Sequence, residues 1–169
     1  GNERIAKETI VIFSSVKIGD DLIISDLNKI IKDLYDTDFF NYVSVSLKNN
    51  VLTIDLKENK IINSVEILGV KNKKLKQALL DQLVMSEKKS FVQEKSSEDT
   101  FKLSNFLKVS GYYFSEITLN VEQTSNNTVN LIYNVALNEK AVIKTINFSG
   151  DKVFKSRLLS NIIISEENK

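Results

Sequence analysis

The stretch VLTIDLKENKIINSVEILG, residues 51–69, decides the fold, because it recurs. It lies without a gap on IYNVALNEKAVIKTINFSG, residues 132–150. Apolar positions coincide: Leu52 with Tyr133, Ile54 with Val135, Leu56 with Leu137, Ile62 with Ile143, Val65 with Ile146 and Ile67 with Phe148. Glu58 falls on Glu139, and Gly69 on Gly150. In both copies an alternating strand is followed by a polar break, Lys57 to Lys60 or Asn138 to Lys140. A second strand then ends in glycine, the residue that takes a positive φ without steric cost. An internal period of this kind marks a repeated module.

Outward from this core, helical signals follow each glycine. Leu75, Ala78, Leu79 and Leu83 form one stripe of a 3.6-residue period, with Lys73, Lys74, Lys76 and Gln77 toward water. Ile5, Thr9, Ile10 and Phe13 hold the comparable place after Gly1, and Arg157 to Ile164 begins the same element after Gly150. A second helix is predicted in each full unit. In one, Ser25 is placed to cap a helix that buries Leu27, Ile30, Ile31 and Leu34. The other runs from about Gln93 to Ser110 through Phe101, Leu103, Phe106, Leu107 and Val109, and Gly111 stops it.

Each helix leads through aromatics into a hairpin. Phe39, Phe40 and Tyr42 precede Val43, Val45 and Leu47, and after a turn at Asn49-Asn50 the chain returns through Leu52, Ile54 and Leu56. Tyr112, Tyr113 and Phe114 precede Ile117, Leu119 and Val121, and after a turn at Ser125 to Asn127 it returns through Val129, Leu131, Tyr133 and Val135. Asparagine suits both turns because it tolerates left-handed backbone. Both aromatic runs are expected to seal the corner between helix and strand. The unit is therefore β-α-α-β-β, and two helices over three strands make a two-layer α+β module with a three-stranded mixed sheet. Residues 1–60 are a first module lacking its opening strand, 61–139 a complete second module, and 140–169 the strand and first helix of a third.

Composition narrows the function. Lys and Arg number 23 against 22 for Asp and Glu, so a formal charge of +1 supplies no field to attract nucleic acid. The chain has no cysteine and no histidine, which removes thiolate and imidazole chemistry. Asp36, Asp38 and Glu58 sit at expected turns and strand ends without a partner to split their pKa values, so no catalytic residue, cofactor site or metal site is assigned. A KH-type RNA-binding domain would need a G-x-x-G loop, which is absent. No apolar run is long enough for a spanning helix, and no segment reads as a signal peptide, which points to a soluble chain or a piece of a longer one. The lysines at 71, 73, 74 and 76 read as a solvated helix face.

The order of elements, repeated in tandem, resembles the polypeptide-transport-associated (POTRA) domains of the BamA family of outer-membrane protein assembly factors. The residues that carry the resemblance are GNERIAKETI at 1–10, LYDTDFFNYVSVSL at 34–47, KENKIINSVEI at 57–67, VEILG at 65–69 with its echo INFSG at 146–150, and GYYFSEITL at 111–119. Asp38 departs from the pattern by standing where the second repeat has Gly111, and Lys60 replaces a proline often seen in the family. The resemblance implies a periplasmic, non-catalytic scaffold for unfolded outer-membrane β-barrel proteins that also docks lipoprotein subunits of the assembly machinery. Membrane contact is expected only through the family's β-barrel, which this chain lacks. The alternative within the superfamily is a transporter of two-partner secretion or of translocation assembly.

In the family the second strand of each module lies at a sheet edge and the third in the centre. That places Val43, Ser44, Val45, Ser46 and Leu47 on one edge and Ile117, Thr118, Leu119, Asn120 and Val121 on another. An extended peptide can add to such an edge through backbone pairing, which reads no side-chain identity. The bland reading is an ordinary edge protected by Lys48 and Glu122. A further expectation is a strand-exchange dimer, in which Ile143, Ile146 and Phe148 of one molecule lie beside Leu52, Ile54 and Leu56 of another.

Overall fold

The computed structural model describes residues 3–124 and 127–150, with 155, 158, 159 and 162. The expected repeat start at Gly1 and residues 125 and 126 of the second turn lie outside these. So does most of the expected helix from Arg157 to Ile164, of which Leu158 and Leu159 are helical.

The first module consists of α1 (Lys7–Ser14), α2 (Ile24–Tyr35), β1 (Phe40–Lys48) and β2 (Val51–Glu58). β1 and β2 pair antiparallel with Lys48 opposite Val51, and Asn49 and Asn50 both have positive φ, 49° and 62°. That is the two-residue turn whose twist matches paired strands. Ile10 of α1, with Ile30 and Leu34 of α2, closes over Phe40, Val43 and Leu56. Ser25 does not cap α2. The helix begins at Ile24 with Ile23 as its cap, two residues before the expected cap, and Asp26 accepts from the Ile23 N–H at 2.9 Å. A carboxylate in the first turn is the stronger acceptor and also favours the positive end of the helix dipole.

The second module runs β3 (Ile61–Leu68), α3 (Lys73–Leu80), α4 (Gln93–Val109), β4 (Glu116–Gln123) and β5 (Thr128–Ala136). Its sheet order is β3-β5-β4, with β5 parallel to β3 and antiparallel to β4. A parallel pair needs a crossover, and α3 with α4 provides it. Val129, Leu131, Tyr133 and Val135 of β5 are all buried against Leu79 of α3 and Leu103 and Leu107 of α4. Each such side chain taken from water contributes about 1.5–3 kcal/mol. Gly69 (φ +86°) closes β3 so tightly that a Cβ would overlap the Val135 carbonyl oxygen. Gly111, at φ +93°, ends α4 as expected, and Asp38 takes the same left-handed conformation at φ 61°.

Several expectations need correction. Phe101 and Val109 do not face the core and are 66% and 90% exposed. The buried face of α4 is Ser96, Asp99, Leu103 and Leu107, and a residue two places from Asp99 and Leu103 points to the opposite side of the helix. Leu83 lies beyond the end of α3, although it still packs on the core. Of the aromatics, Phe40 is buried and Tyr112 packs on the core, whereas Tyr113 and Phe114 are exposed. Residues 142–149 form no strand and belong to neither sheet.

The polar break between modules is also shorter than expected. Only Asn59 and Lys60 separate β2 from β3, and Asn59 is buried. Its N–H donates to the Phe39 carbonyl at 2.7 Å and its side-chain amide to the Asp38 carbonyl at 2.8 Å, while the Phe91 N–H donates to the Lys60 carbonyl at 2.7 Å. Lys95 of α4 forms an ion pair with Asp38 of the first module. Adjacent linker residues are thus bonded to opposite modules.

Candidate functional site

The predicted site is two strand edges, and what matters is which backbone groups point outward. In an antiparallel ladder, alternate residues turn both N–H and C=O toward the partner and the others turn both away. In the first sheet a two-residue hairpin makes Lys48 and Val51 a bonded pair, so Leu47, Val45 and Val43 point outward. An independent contact agrees with this parity: the Val43 N–H donates to the Tyr35 hydroxyl at 3.1 Å. In the second sheet the Thr124 N–H donates to the Thr128 carbonyl at 3.0 Å, which fixes the bonded pairs and turns Gln123, Val121, Leu119 and Ile117 outward.

All ten predicted residues therefore lie on edge strands, but they are not equivalent. Val43, Val45, Leu47, Ile117, Leu119 and Val121 carry outward backbone groups, whereas Ser44, Ser46, Thr118 and Asn120 turn theirs into the ladders. Among the described residues no further strand pairs with β1 or β4. Gln123 completes the outward set and was not among the predicted residues; the turn-closing Thr124 and Thr128 were the signal that could have found it. β2 likewise has no second neighbour among the described residues, and β3 is partly covered, because Ile62 exchanges hydrogen bonds of 2.8 Å with Lys88 and Lys89.

The ends of the two edges open onto one cleft. Phe40 and Asn41, at the start of β1, and Val121 and Gln123, at the end of β4, line one cleft of about 600 Å3 between the modules. Tyr35, Lys60 and Phe91 also line it.

The carboxylates set the frame of this site rather than its chemistry. Glu58, expected at a strand end with no partner to split its pKa, is buried and accepts the N–H groups of Glu3, Arg4 and Ile5 at 2.7, 2.9 and 2.9 Å. The Arg4 guanidinium stands 3.0 Å from its other oxygen. Burial pushes the Glu58 carboxyl up, but the three N–H groups and Arg4 outweigh it and hold the pKa below its ordinary value. Asp99, fully buried, accepts from the Val84 and Met85 N–H groups at 2.7 and 3.0 Å and from the Tyr133 hydroxyl at 3.4 Å. Burial and the neighbouring Asp99 raise the Tyr133 phenol. In the sequence Asp99 carries no signal except its position on the apolar face of α4. Among the described residues no group of acidic side chains is arranged to hold a metal ion, and no helix is long and apolar enough to cross a membrane.

Residues 60–136 match the sequence model of the POTRA family, described as surface antigen variable number repeat. The POTRA likeness is thus carried by the second module. Over 168 residues it is 26% identical to the outer membrane protein assembly factor BamA of Neorickettsia risticii, covering 99% of this chain and 22% of the relative. Against BamA of Neisseria meningitidis serogroup B it is 27% identical over 162 residues, covering 94% of this chain and 20% of the relative. The chain thus spans about a fifth of the length of these curated relatives. The N-terminal domain of Omp85 from Thermosynechococcus elongatus shares the fold at 12% identity, with a TM-score of 0.52 over all of this chain and 74% of that one. In the complete module the second strand lies at the edge because the first strand returns to pair with the third.

Proposed function

We propose that this chain is a periplasmic, non-catalytic arm for outer-membrane protein assembly, which receives unfolded β-barrel proteins as added strands on β1 and β4 and docks other subunits of the assembly machinery. The observation that carries the reading is the outer edge of β4, with which no further strand pairs among the described residues. Its outward N–H and C=O groups at Ile117, Leu119, Val121 and Gln123 offer an unfolded strand a ready ladder. The names of the curated relatives, outer membrane protein assembly factors, support the same role. Backbone pairing suits many clients because it demands only an extended chain.

A peptide copied from an outer-membrane β-strand tests this by nuclear magnetic resonance titration. Shifts at outward amides such as Val45, Leu47, Leu119 and Val121 are expected. Shifts confined to the helices would remove strand addition as the mechanism. The same chemistry admits a second copy of this chain, with its residues 142–149 beside β2. Deleting residues 141–169 should then abolish a dimer measured by light scattering, and an unchanged mass would reject it.

A further inference from the structure

We infer that the two edges act as one site, taking a single extended client segment that follows β1, crosses the cleft between the modules and continues along β4. This inference rests on the proposed function and specifies the ligand: two consecutive strand-like segments of one polypeptide, joined without a reversal.

Strand polarity makes this arrangement feasible. A guest antiparallel to β1 runs from beside Lys48 to beside Phe40, where it reaches the cleft. A guest antiparallel to β4 starts beside Gln123, which lines the same cleft, and runs to Glu116. The end of the first path is therefore the beginning of the second, in the same direction. Had either strand run the other way, the guest would have had to double back. β1 and β4 are nine and eight residues long, so each edge accepts roughly one membrane-spanning strand of about 9–11 residues.

Tyr35 supplies a second observation. Its hydroxyl, in the cleft wall, accepts from the outward Val43 N–H at 3.1 Å. An oxygen thus already occupies the position that a guest carbonyl would take where the path leaves β1. The junction holds the two edge ends beside each other through Asn59, Lys60 and the Asp38–Lys95 pair.

The test uses the whole chain and a peptide of two alternating apolar–polar segments, each of about nine residues, joined by a short Gly-Ser linker. Each half is titrated separately. The tandem peptide is expected to perturb both edges in a one-to-one complex and to bind at least about tenfold more tightly than the better half, because the second contact becomes intramolecular. Equal affinity of tandem and half, or one peptide bridging two protein molecules, would overturn the inference while leaving single-edge binding intact. A flexible Gly-Ser insertion between Asn59 and Lys60 should erase the gain and leave both half-peptide affinities unchanged. A gain that survives the insertion would also overturn it. Halves that perturb neither edge would overturn the proposed function itself and this inference with it.

Discussion

The first module closes six buried hydrophobic residues under two strands, whereas the second encloses eleven under three. They share a plan and differ in which carboxylate holds the frame. Asp26 and Asp99 occupy the same place, eight residues before the fully buried Leu34 and Leu107. Asp99 is sunk in the core and fixes the chain at Val84 and Met85, while Asp26 reaches back to Ile23 at the start of its own helix. The relation reverses for the repeat pair Glu58 and Glu139. Glu58 is buried and pins residues 3–5 to the end of β2, but Glu139 is exposed. A repeat therefore copies the strand and helix pattern without copying its polar anchors. The pattern depends on hydrophobic period, and an anchor depends on whether neighbouring backbone N–H groups converge on it.

The most disruptive way to break this comparison is Val135→Asp, which buries an uncompensated carboxylate on the central strand of the larger core. The expected cost is about 3–5 kcal/mol, comparable with the stability of a small domain. Thermal melting followed by resolved methyl signals should show the second module unfolded while the first keeps its resonances. If the first melts with it, the modules form one cooperative unit.

Glu58→Gln acts on the smaller module. Weakening charge-assisted bonds from three backbone N–H groups and Arg4 should cost about 1.5–3 kcal/mol, seen as earlier urea unfolding of the first module alone. The pH dependence has a definite sign. Because folding lowers the Glu58 pKa below its ordinary 4.5, its contribution is fully present above that value and is lost as pH falls through the lowered folded value. The wild-type first module should therefore weaken under acid more than the Gln variant, and parallel pH profiles would contradict this.

Tyr35→Phe sharpens the contrast between the edges. It removes the hydroxyl that occupies the Val43 N–H, with an expected stability loss of about 0.5–1.5 kcal/mol. Strand-peptide affinity at β1 should rise and that at β4 should not change, by amide titration. The smallest effect is expected from Asp38→Gly, which makes the first module match the second at Gly111. Glycine relieves the left-handed backbone at φ 61°, while losing a half-exposed ion pair with Lys95 worth about 0–1 kcal/mol, so the net change in melting should be near zero.

Much of the fold is legible in the residues alone. The recurrence of 51–69 at 132–150 marks β2, β3 and β5 as strands, although 142–149 forms none, and Asn49-Asn50 and Gly111 mark turns whose positive φ the structure confirms. The alternation Val129, Leu131, Tyr133, Val135 identifies the buried face of β5. These features are local: side-chain period and backbone conformation depend on neighbours in sequence. The exposure of Phe101 and Val109 is not legible in this way, because an apolar residue on a helix gives no sign of facing water when a carboxylate, Asp99, takes the inward place.

The predicted edge strands were legible only through the resemblance to a family, and their working parts required the tertiary structure. Strand order, hydrogen-bond parity, the Tyr35 contact and the shared lining of one cleft by β1 and β4 each relate residues far apart in the chain. So does the fate of each carboxylate. The sequence by itself determined most of the strands and helices and most of the apolar faces, because those follow from period and local geometry. Only the tertiary structure decided which backbone groups remain unpaired and which acidic side chains are buried, because both depend on what folds against them.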